Sequence, residues 1–198
     1  MRLKRAFDVV LSAFLLTAFL IPICILCFYI MFDTARFPFF FQTRIGRDGK
    51  PFNLLKLRTV RGGVAASYAG HEQPGVTRFG NFLRRTKLNE LPQIANILIG
   101  DMSFVGPRPD VKKYADSLRG KERTILLLRP GLTGPASLVY FEEETLLRSQ
   151  KEPEAYYDNE IWPDKVRLNR AYIENWSFTG DLKILFETVV LLFRKTIL

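Results

Sequence analysis

A small set of basic and acidic side chains supplies most of the chemistry open to this sequence. The basic members are Lys56, Arg58, Arg84 and Arg108, and the acidic members are Glu90, Asp101 and Asp110. Carboxylates hold Mg²⁺, and lysine and arginine neutralise phosphate oxygens. Phosphoryl chemistry depends mainly on positioning and charge neutralisation of this kind. The set therefore points to a site for a phosphorylated substrate.

Other chemistries are poorly supplied. His71 is the one histidine, so a Ser-His-Asp arrangement, a Cys-His arrangement and a zinc site all lack side chains. Cys24 and Cys27 are the only cysteines, and both lie in an apolar run, which excludes a disulfide scaffold. The sequence contains neither a Walker-type nor a dinucleotide-type glycine loop.

Length and charge indicate what kind of chain must position these basic and acidic side chains. The chain has 198 residues and a formal net charge of +9, which fits one domain with an appended segment. Residues 1–100 hold 14 basic and 5 acidic residues, whereas residues 101–198 hold 15 of each. The excess lies in the half that also carries a long apolar segment. Such a charge can meet anionic lipid, a phosphorylated substrate or nucleic acid, and the adjacent apolar segment favours lipid.

The apolar segment covers residues 9–32, which are 24 residues without a charge. As a helix it is about 36 Å long, enough to cross a hydrocarbon core. Pro22 removes a backbone hydrogen bond at mid-segment, and basic residues flank the run on both sides. Two alternatives stay open from the residues alone: a re-entrant helix that bends at Pro22, and an ordinary proline-kinked span.

The rest of the chain predicts a small α+β domain that is mostly helical, with a short β-hairpin. Asp48-Gly49 lies between two extended runs, which is typical of a hairpin turn. The other predicted segments are helices over 78–99 (broken near Pro92), 111–128 and 163–175, Gly/Pro loops over 100–110 and 129–135, and a mobile loop over 61–75.

The C-terminal residues 181–195 predict an amphipathic helix. It begins with Asp181 and ends with basic residues, as helices prefer. Its apolar side chains share one face at helical spacing: Leu182, Leu185, Phe186, Val189, Val190 and Phe193. This face either lies on a membrane surface or packs on the core, and both alternatives stay open.

Five motifs stand in one order along the chain. They are Lys4-Arg5-Ala6-Phe7-Asp8, Gly49-Lys50-Pro51-Phe52 with Lys56-Leu57-Arg58-Thr59, Leu88-Asn89-Glu90-Leu91-Pro92-Gln93, Gly100-Asp101-Met102-Ser103-Phe104-Val105-Gly106-Pro107-Arg108-Pro109, and Arg129-Pro130-Gly131-Leu132-Thr133-Gly134. Over nearly its whole length the chain resembles the bacterial sugar transferase family, the small monotopic polyprenyl-phosphate phosphoglycosyl transferases.

The resemblance implies a reaction and a location. The family moves a sugar 1-phosphate from a UDP-sugar to polyprenyl (undecaprenyl) phosphate with Mg²⁺ and releases UMP, the first membrane step of bacterial surface glycan assembly. It implies a re-entrant helix in residues 1–36 bent at Pro22, and a catalytic domain in residues 37–198. That domain would lie on the cytoplasmic face of the inner membrane with interfacial amphipathic helices. Membrane lipid is then a partner, nucleic acid is not, and a homodimer stays an open alternative.

The family usually has an Asp-Glu pair where this chain has Asn89-Glu90. The Asp is the expected nucleophile, and a neutral carboxamide attacks phosphorus very poorly. Four interpretations stay open: an inactivated variant, a natural variant in which Glu90 acts, direct attack by the polyprenyl phosphate, and a non-catalytic relative. Asn89 also has a purely structural interpretation as the N-cap of the helix that follows.

The resemblance assigns roles to the remaining set. Glu90 is expected to bind Mg²⁺ or act as acid or base, or else it is a first-turn residue favoured by the helix dipole. Asp101 is expected to bind the metal or orient Arg108, or else to end a helix. Arg108, between two prolines, is expected to bind nucleotide phosphates, or else to lie in a surface turn. Asp8 is expected to pair with a basic residue at the membrane edge in a structural role.

Further phosphate contacts are expected from Lys56, Arg58, Arg84 and Arg129. Lys56 and Arg58 alternate with leucines and share one strand face, toward phosphate or toward solvent. A second departure lies at Val139-Tyr140-Phe141, where many members have Asn-Gly-Arg. This removes a basic contact, for which Arg129 or Arg148 is expected to compensate.

Three functions compete on these grounds. The first is the membrane transferase, and the second is a non-catalytic binder of lipid or nucleotide sugar, suggested by Asn89. The third, suggested by charge alone, is a membrane-anchored nucleic-acid binder. The identity of the sugar does not follow from the motifs.

Overall fold

The computed structural model describes residues 2–61 and 75–197. Most of the predicted mobile loop, with His71, lies outside these residues. The α-helices and β-strands of the described part are α1 (Arg2–Thr34), β1 (Phe39–Ile45), β2 (Pro51–Leu57), α2 (Arg78–Arg85), α3 (Gln93–Ile99), β3 (Ser103–Val105), α4 (Lys112–Ser117), β4 (Gly131–Thr133), α5 (Pro135–Val139), α6 (Glu143–Arg148), α7 (Pro153–Tyr156), α8 (Trp162–Glu174) and α9 (Phe178–Ile197). A longer 3₁₀ helix covers Gly120–Leu127, and a π-helix covers Tyr157–Ile161. The predicted class, α+β and mostly helical, is confirmed.

The predicted hairpin is formed by β1 and β2. The strands pair antiparallel, with Phe39 opposite Leu57. Asp48 and Gly49 both have positive φ, 58° and 73°, in the short 3₁₀ turn that joins them. Gly, and to a lesser extent Asp, tolerate this backbone region, which is why the pair can form the turn between the two strands.

The predicted break near Pro92 is also present. α2 ends at Arg85, a 3₁₀ turn covers Leu88–Glu90, and α3 begins at Gln93. The break places Asn89 and Glu90 in a turn between two helices rather than inside one.

The two Gly/Pro loops contain a sheet that the sequence analysis missed. β3 lies in the first loop and β4 in the second, and they pair parallel with Ser103 opposite Gly131 and Val105 opposite Thr133. A Cβ added at Gly131 would lie 2.2 Å from the nitrogen of Gly106, so the close approach of the two backbones requires glycine. Three-residue strands have no readable alternation, and their partners are far apart in sequence.

The main core lies between the hairpin, α3 and the β3–β4 sheet. Its buried side chains are Leu54, Ile94, Ile97, Met102, Phe104 and Val105. Helices α1 and α9 pack on this core from outside through partly buried side chains, among them Leu11, Leu15 and Leu185. The two long helices are therefore part of the folded unit.

The start of α1 is held by polar contacts. Arg5 donates to the carbonyl oxygens of Ile97 and Leu98 at 2.6 and 2.8 Å, at the end of α3. Asp8 is buried and accepts from the Ser103 hydroxyl and the Phe104 backbone N–H, both at 3.1 Å. The prediction that Asp8 pairs with a basic residue is therefore corrected. β3 is an edge strand whose Phe104 N–H points away from β4, and Asp8 supplies its acceptor.

Helix α1 is packed at both ends and exposed in its middle. It is long and apolar enough to cross a membrane, and it stays helical through Pro22. Ile30 near its C-terminal end is fully buried against Leu57 and Leu83. Residues 17–22, more than one full turn, are exposed on every side.

Helix α9 packs on the core with only part of its apolar surface. Ile184 and Leu185 pack on the main core. Next to them on the helix surface lie exposed apolar side chains, Leu182, Phe186, Val189 and Phe193. Part of the apolar surface of α9 thus packs inward, and part is exposed to the surroundings.

Candidate active site

A cavity of about 1220 Å³ brings most of the predicted site residues together. Six of them line it: Lys56, Arg58, Arg84, Asn89, Glu90 and Arg108. Its walls come from the hairpin, α2, the turn Leu88–Glu90, the segment 136–148, α8, α9 and the first half of α1. Binding cavities for single small molecules are usually about 300–1,000 Å³, so this space is large enough for more than one ligand.

Glu90 and Arg108 form the central ion pair of the cavity. The guanidinium contacts both carboxylate oxygens, Nη2 to Oε1 at 2.7 Å and Nη1 to Oε2 at 3.3 Å. Burial alone would raise the pKa of Glu90, but the charges of Arg108 and Lys56 more than offset it and hold that pKa well below its usual range. Glu90 is therefore an anion at any physiological pH, and its charge raises the pKa of Arg108 in turn.

Lys56 is the cavity residue whose charge is easiest to change. Burial lowers the pKa of its ammonium group to about 8. The negative charge of Glu90 opposes this shift, whereas Arg108, Arg44 and Lys87 add to it. Lys56 thus titrates just above neutral pH, whereas an exposed lysine does so above pH 10.

Asn89 has a buried side-chain oxygen with no hydrogen-bond partner within the described chain. The interpretation of Asn89 as an N-cap is not supported, because α3 begins four residues later and its N-cap position is Pro92. A buried acceptor without a donor is costly and unusual. Within a ligand-sized cavity it marks a place where a ligand atom can supply the missing contact.

Charge in the cavity is strongly positive. Nine basic and five acidic residues line it, an excess of four: Arg44, Lys56, Arg58, Arg84, Arg85, Lys87, Arg108, Arg148 and Lys165 against Glu90, Asp110, Glu142, Glu143 and Glu144. Such an excess attracts phosphate groups.

Arg58 and Arg84 contact protein groups at the cavity wall. Arg58 Nε donates to the carbonyl oxygen of Phe37 at 2.8 Å, and its guanidinium lies 5.8 Å from the ring centroid of Phe40. Arg84 Nε donates to the hydroxyl of Thr59 at 2.9 Å. These contacts fix both guanidinium groups against the rim of the cavity.

Arg129 and Asp101 lie outside the lining of this cavity. Arg129 Nε donates to the carbonyl oxygen of Gly100 at 2.7 Å, and Asp101 Oδ2 accepts from Asn96 Nδ2 at 3.5 Å. Both residues lie at the C-terminal end of α3. Asp101 was expected to orient Arg108, but the carboxylate that binds Arg108 is that of Glu90. Of the two arginines expected to compensate near residues 139–141, Arg148 lines the cavity.

Lys87 is a site residue that the sequence analysis missed. It lines the cavity directly before the Leu88–Glu90 turn and adopts a left-handed backbone with φ 59°. Its ammonium nitrogen lies 5.9 Å from the ring centroid of Phe141, across the cavity. Positive φ outside glycine often occurs at functional turns, but lysine carries no sequence signature for it.

Lys165 is a second missed residue. Its ammonium group binds Glu143 and the hydroxyl of Tyr157, and it lies over the ring of Tyr140. Asp110, a member of the acidic set, faces the same group, and burial raises its pKa. This pairing, spread over α6 and α8, has no local sequence pattern.

A divalent cation fits the turn only together with a substrate. Within the described residues, no three His, Cys, Asp or Glu side chains are grouped so that they could hold a metal ion. Mg²⁺, however, usually takes one or two protein oxygens and completes its shell with water and phosphate oxygens. Glu90 and the unpartnered oxygen of Asn89 are two suitable ligands in adjacent positions.

Comparison with known proteins gives a consistent result. A family profile described as bacterial sugar transferase matches residues 1–195. The UDP-glucose:undecaprenyl-phosphate glucose-1-phosphate transferase of Escherichia coli K12 is 35% identical over 195 residues, covering 94% of this chain and 39% of the relative. The protein of the same name from Caulobacter vibrioides is 38% identical over 193 residues, covering 94% of this chain and 68% of the relative.

A third relative carries a different sugar in its name. The undecaprenyl-phosphate galactose phosphotransferase of Salmonella typhimurium is 29% identical over 215 residues, covering 98% of this chain and 41% of the relative. The chain therefore spans about two fifths of the Escherichia coli and Salmonella proteins and about two thirds of the Caulobacter protein.

Proposed function

The chain belongs to the bacterial sugar transferase family, and from that premise we propose that it transfers a sugar 1-phosphate from a UDP-sugar to undecaprenyl phosphate. The bond between the β-phosphorus and the oxygen that bridges to UMP breaks, and a bond from the acceptor phosphate to that phosphorus forms. UMP and a polyprenyl diphosphate sugar are the products. The observation that carries this proposal is the cavity, in which a cation excess and an apolar wall meet.

The charge of the cavity matches the two substrates. A sugar diphosphate ester carries two negative charges near pH 7, and a phosphate monoester carries about 1.5 to 2. The excess of four basic residues in the cavity lining is of the same size. Lys56, Arg84 and Arg108 are the arginine and lysine contacts expected to hold the phosphates.

The apolar side of the cavity suits a lipid acceptor. Its lining includes leucine and valine side chains from α1 and α9, whose outer faces are exposed and hydrophobic. An acceptor with a long hydrocarbon chain can thus keep that chain in apolar surroundings while its phosphate reaches the cations.

Sugar-phosphate transfer generally uses a divalent metal, and we expect Mg²⁺ in this chain. Glu90 and the side-chain oxygen of Asn89 would hold it, and when bound it would neutralise charge on the donor phosphates. Arg108 orients Glu90 for this purpose, and it leaves lone pairs on both carboxylate oxygens for a further ligand.

The neutral Asn89 supports a single displacement. A carboxamide cannot form the acyl phosphate that an aspartate forms, and both oxygens of Glu90 face Arg108. The acceptor phosphate is itself an anionic nucleophile, so it attacks the donor directly in this proposal. In-line geometry then depends on the cations that hold both phosphates.

We place the chain on the cytoplasmic face of the bacterial inner membrane as a monotopic protein. Residues 1–36 would enter the bilayer and return, and residues 37–198 would form the catalytic domain. Support comes from the exposed middle of α1, residues 17–22, between two ends that pack on the same folded unit. Pro22 weakens the helix within that stretch.

UMP release from a panel of UDP-sugars, with undecaprenyl phosphate and Mg²⁺, tests the function. The chain is compared with Asn89→Asp. Turnover by the unaltered chain, with sequential kinetics and no covalent sugar-phosphate adduct by mass spectrometry, supports direct attack. Turnover by Asn89→Asp alone shows a silenced enzyme, and binding without turnover in both contradicts the transferase.

A further inference from the structure

Helices α1 and α9 together form the apolar side of the cavity. Leu11 and Leu15 come from α1, and Leu185, Val189 and Leu192 come from α9. On each helix these residues are spaced three or four apart, so they form one stripe. The two stripes face the same space, and we refer to the space between them as the α1–α9 groove.

The two helices are joined at one end of the groove. Lys4 Nζ contacts Asp181 Oδ2 at 2.6 Å, and the rings of Phe7 and Phe178 meet edge to face at 5.5 Å. Asp181 is buried and also accepts from Tyr172 at 2.6 Å. Every groove residue lies C-terminal to this joint in its own helix, so both helices run from the joint along the cavity.

Helix α9 is also fixed along its length. The hydroxyls of Thr188 and Thr133 lie 2.7 Å apart. Thr188 donates to the carbonyl oxygen of Ile184 at 2.8 Å, so it accepts from Thr133 and holds α9 against β4. Both threonine hydroxyls are thereby used within the protein. The wall of the groove is preformed rather than a loose helix.

The groove reaches the surface. Val189 lines the cavity and is still 48% exposed. Large exposed hydrophobic side chains continue outward from the groove, Val10 and Phe14 on α1 and Phe186 and Phe193 on α9. Contiguous exposed apolar surface of this kind marks a binding or membrane surface. A hydrocarbon chain can therefore pass from these faces into the cavity without crossing water.

The inner part of the cavity is cationic, with Lys56 and Arg108 among its lining. A ligand that matches both parts has one long apolar chain that ends in a phosphate. An extended nucleotide has no apolar tail, and a neutral lipid has no anion for the cations. The combination of polarity and charge therefore selects a lipid whose apolar chain ends in a phosphate.

We propose that the α1–α9 groove admits the hydrocarbon chain of a polyprenyl phosphate sideways from the bilayer, with its phosphate directed to Lys56 and Arg108. The identity of the lipid rests on the proposed function. The groove assigns α9, which carries none of the expected catalytic residues, to acceptor binding. The donor then enters from the side of α2 and α6 and reaches the same two cations, so the two substrates approach from different directions.

Val189→Trp tests the groove by filling it. Because Val189 is half exposed, tryptophan can be accommodated without disrupting the core. The matched control is Leu182→Trp, on the same helix, 41% exposed and outside the cavity lining. We expect Val189→Trp to raise KM for undecaprenyl phosphate about tenfold, the change for losing roughly two buried methylene groups. KM for the UDP-sugar should stay within about twofold, and Leu182→Trp should change neither.

A second measurement needs no turnover. In a Cys24→Ala/Cys27→Ala background, Val189→Cys and Leu182→Cys are each labelled with a maleimide in detergent. We expect undecaprenyl phosphate to slow labelling at 189 at least fivefold and to leave 182 unchanged. Phosphatidic acid, which has two acyl chains on one phosphate, is the comparison lipid and should protect little.

The outcomes separate the groove from the function. Turnover without selective protection at 189, or equal protection by phosphatidic acid, overturns the groove and leaves the transferase intact. An equal rise in both KM values for Val189→Trp also overturns it. Selective protection at 189 without turnover by any variant supports the groove and contradicts the transferase.

Discussion

The pH dependence of nucleotide binding should be set by Lys56. Burial lowers the pKa of this ammonium group to about 8, so it loses its proton in a range where the other cavity cations keep theirs. About nine tenths of Lys56 is charged at pH 7 and about one tenth at pH 9. The phosphates of UDP do not titrate above pH 7, because their second pKa is about 6. A fall in affinity between pH 7 and pH 9.5 therefore reports the loss of a protein charge.

The size of the effect follows from one ionic contact. A hydrogen bond to a charged partner contributes about 1.5–3 kcal/mol, and we use the lower end because Lys56 is only partly buried. This corresponds to about a tenfold rise in the Kd of UDP once Lys56 is neutral. The sign is fixed: the protonated form binds, so affinity is full below pH 7 and falls as pH rises through about 8. Isothermal titration calorimetry at half-unit steps measures it.

Two variants identify the titrating group. Lys56→Arg keeps its charge throughout this range and should give a flat profile. Glu90→Gln removes the carboxylate that raises the pKa of Lys56, so its midpoint should move to lower pH. If Lys56→Arg shows the same fall as the unaltered chain, the reasoning is refuted, because another group must then be titrating.

Three further predictions, tested with four variants, concern the site and its scaffold. Asp181→Asn replaces the buried carboxylate that binds Lys4 with a neutral amide. We expect the free energy of unfolding, measured by chemical denaturation, to fall by about 2–4 kcal/mol. Gly131→Ala should prevent stable folding, because its Cβ meets backbone at 2.2 Å, whereas Gly49→Asn, in open space at φ 73°, should unfold at nearly the same temperature. Lys87→Asn keeps a residue that tolerates positive φ but removes the charge, so UDP affinity should fall about tenfold with little change in melting temperature.

Local features of the fold were predictable from the sequence. The hairpin turn at Asp48-Gly49 and the helix break before Pro92 depend on backbone preferences of adjacent residues. The β3–β4 sheet was not predictable, because it joins two short segments through Gly106 and Gly131 and leaves no periodic pattern. Long-range pairing of this kind is decided by the packing of the whole core.

In the site, too, local features were predictable from the sequence and long-range contacts were not. Composition identified Lys56, Glu90 and Arg108 as the chemically useful residues, and all three line one cavity. The pairing of Glu90 with Arg108, 18 residues apart, needed the structure. The sequence did not predict Lys87 as a site residue, because its position in the cavity depends on a left-handed backbone that lysine rarely adopts. Local motifs thus identify which side chains are available, and the tertiary fold decides which of them meet.

The neutral residue at position 89 and the low pKa of Lys56 are linked. Glu90 is the carboxylate that raises the pKa of Lys56, and burial with three neighbouring cations lowers it. An aspartate at 89 would add a second negative charge to the turn that carries Glu90 and would raise the pKa of Lys56 further. The amide keeps the pKa of Lys56 near 8 and adds no negative charge to offset the cation excess of the cavity. In the proposed transfer the cations bring two anionic phosphates together, and a neutral residue at 89 favours this, since each additional carboxylate would repel the attacking acceptor.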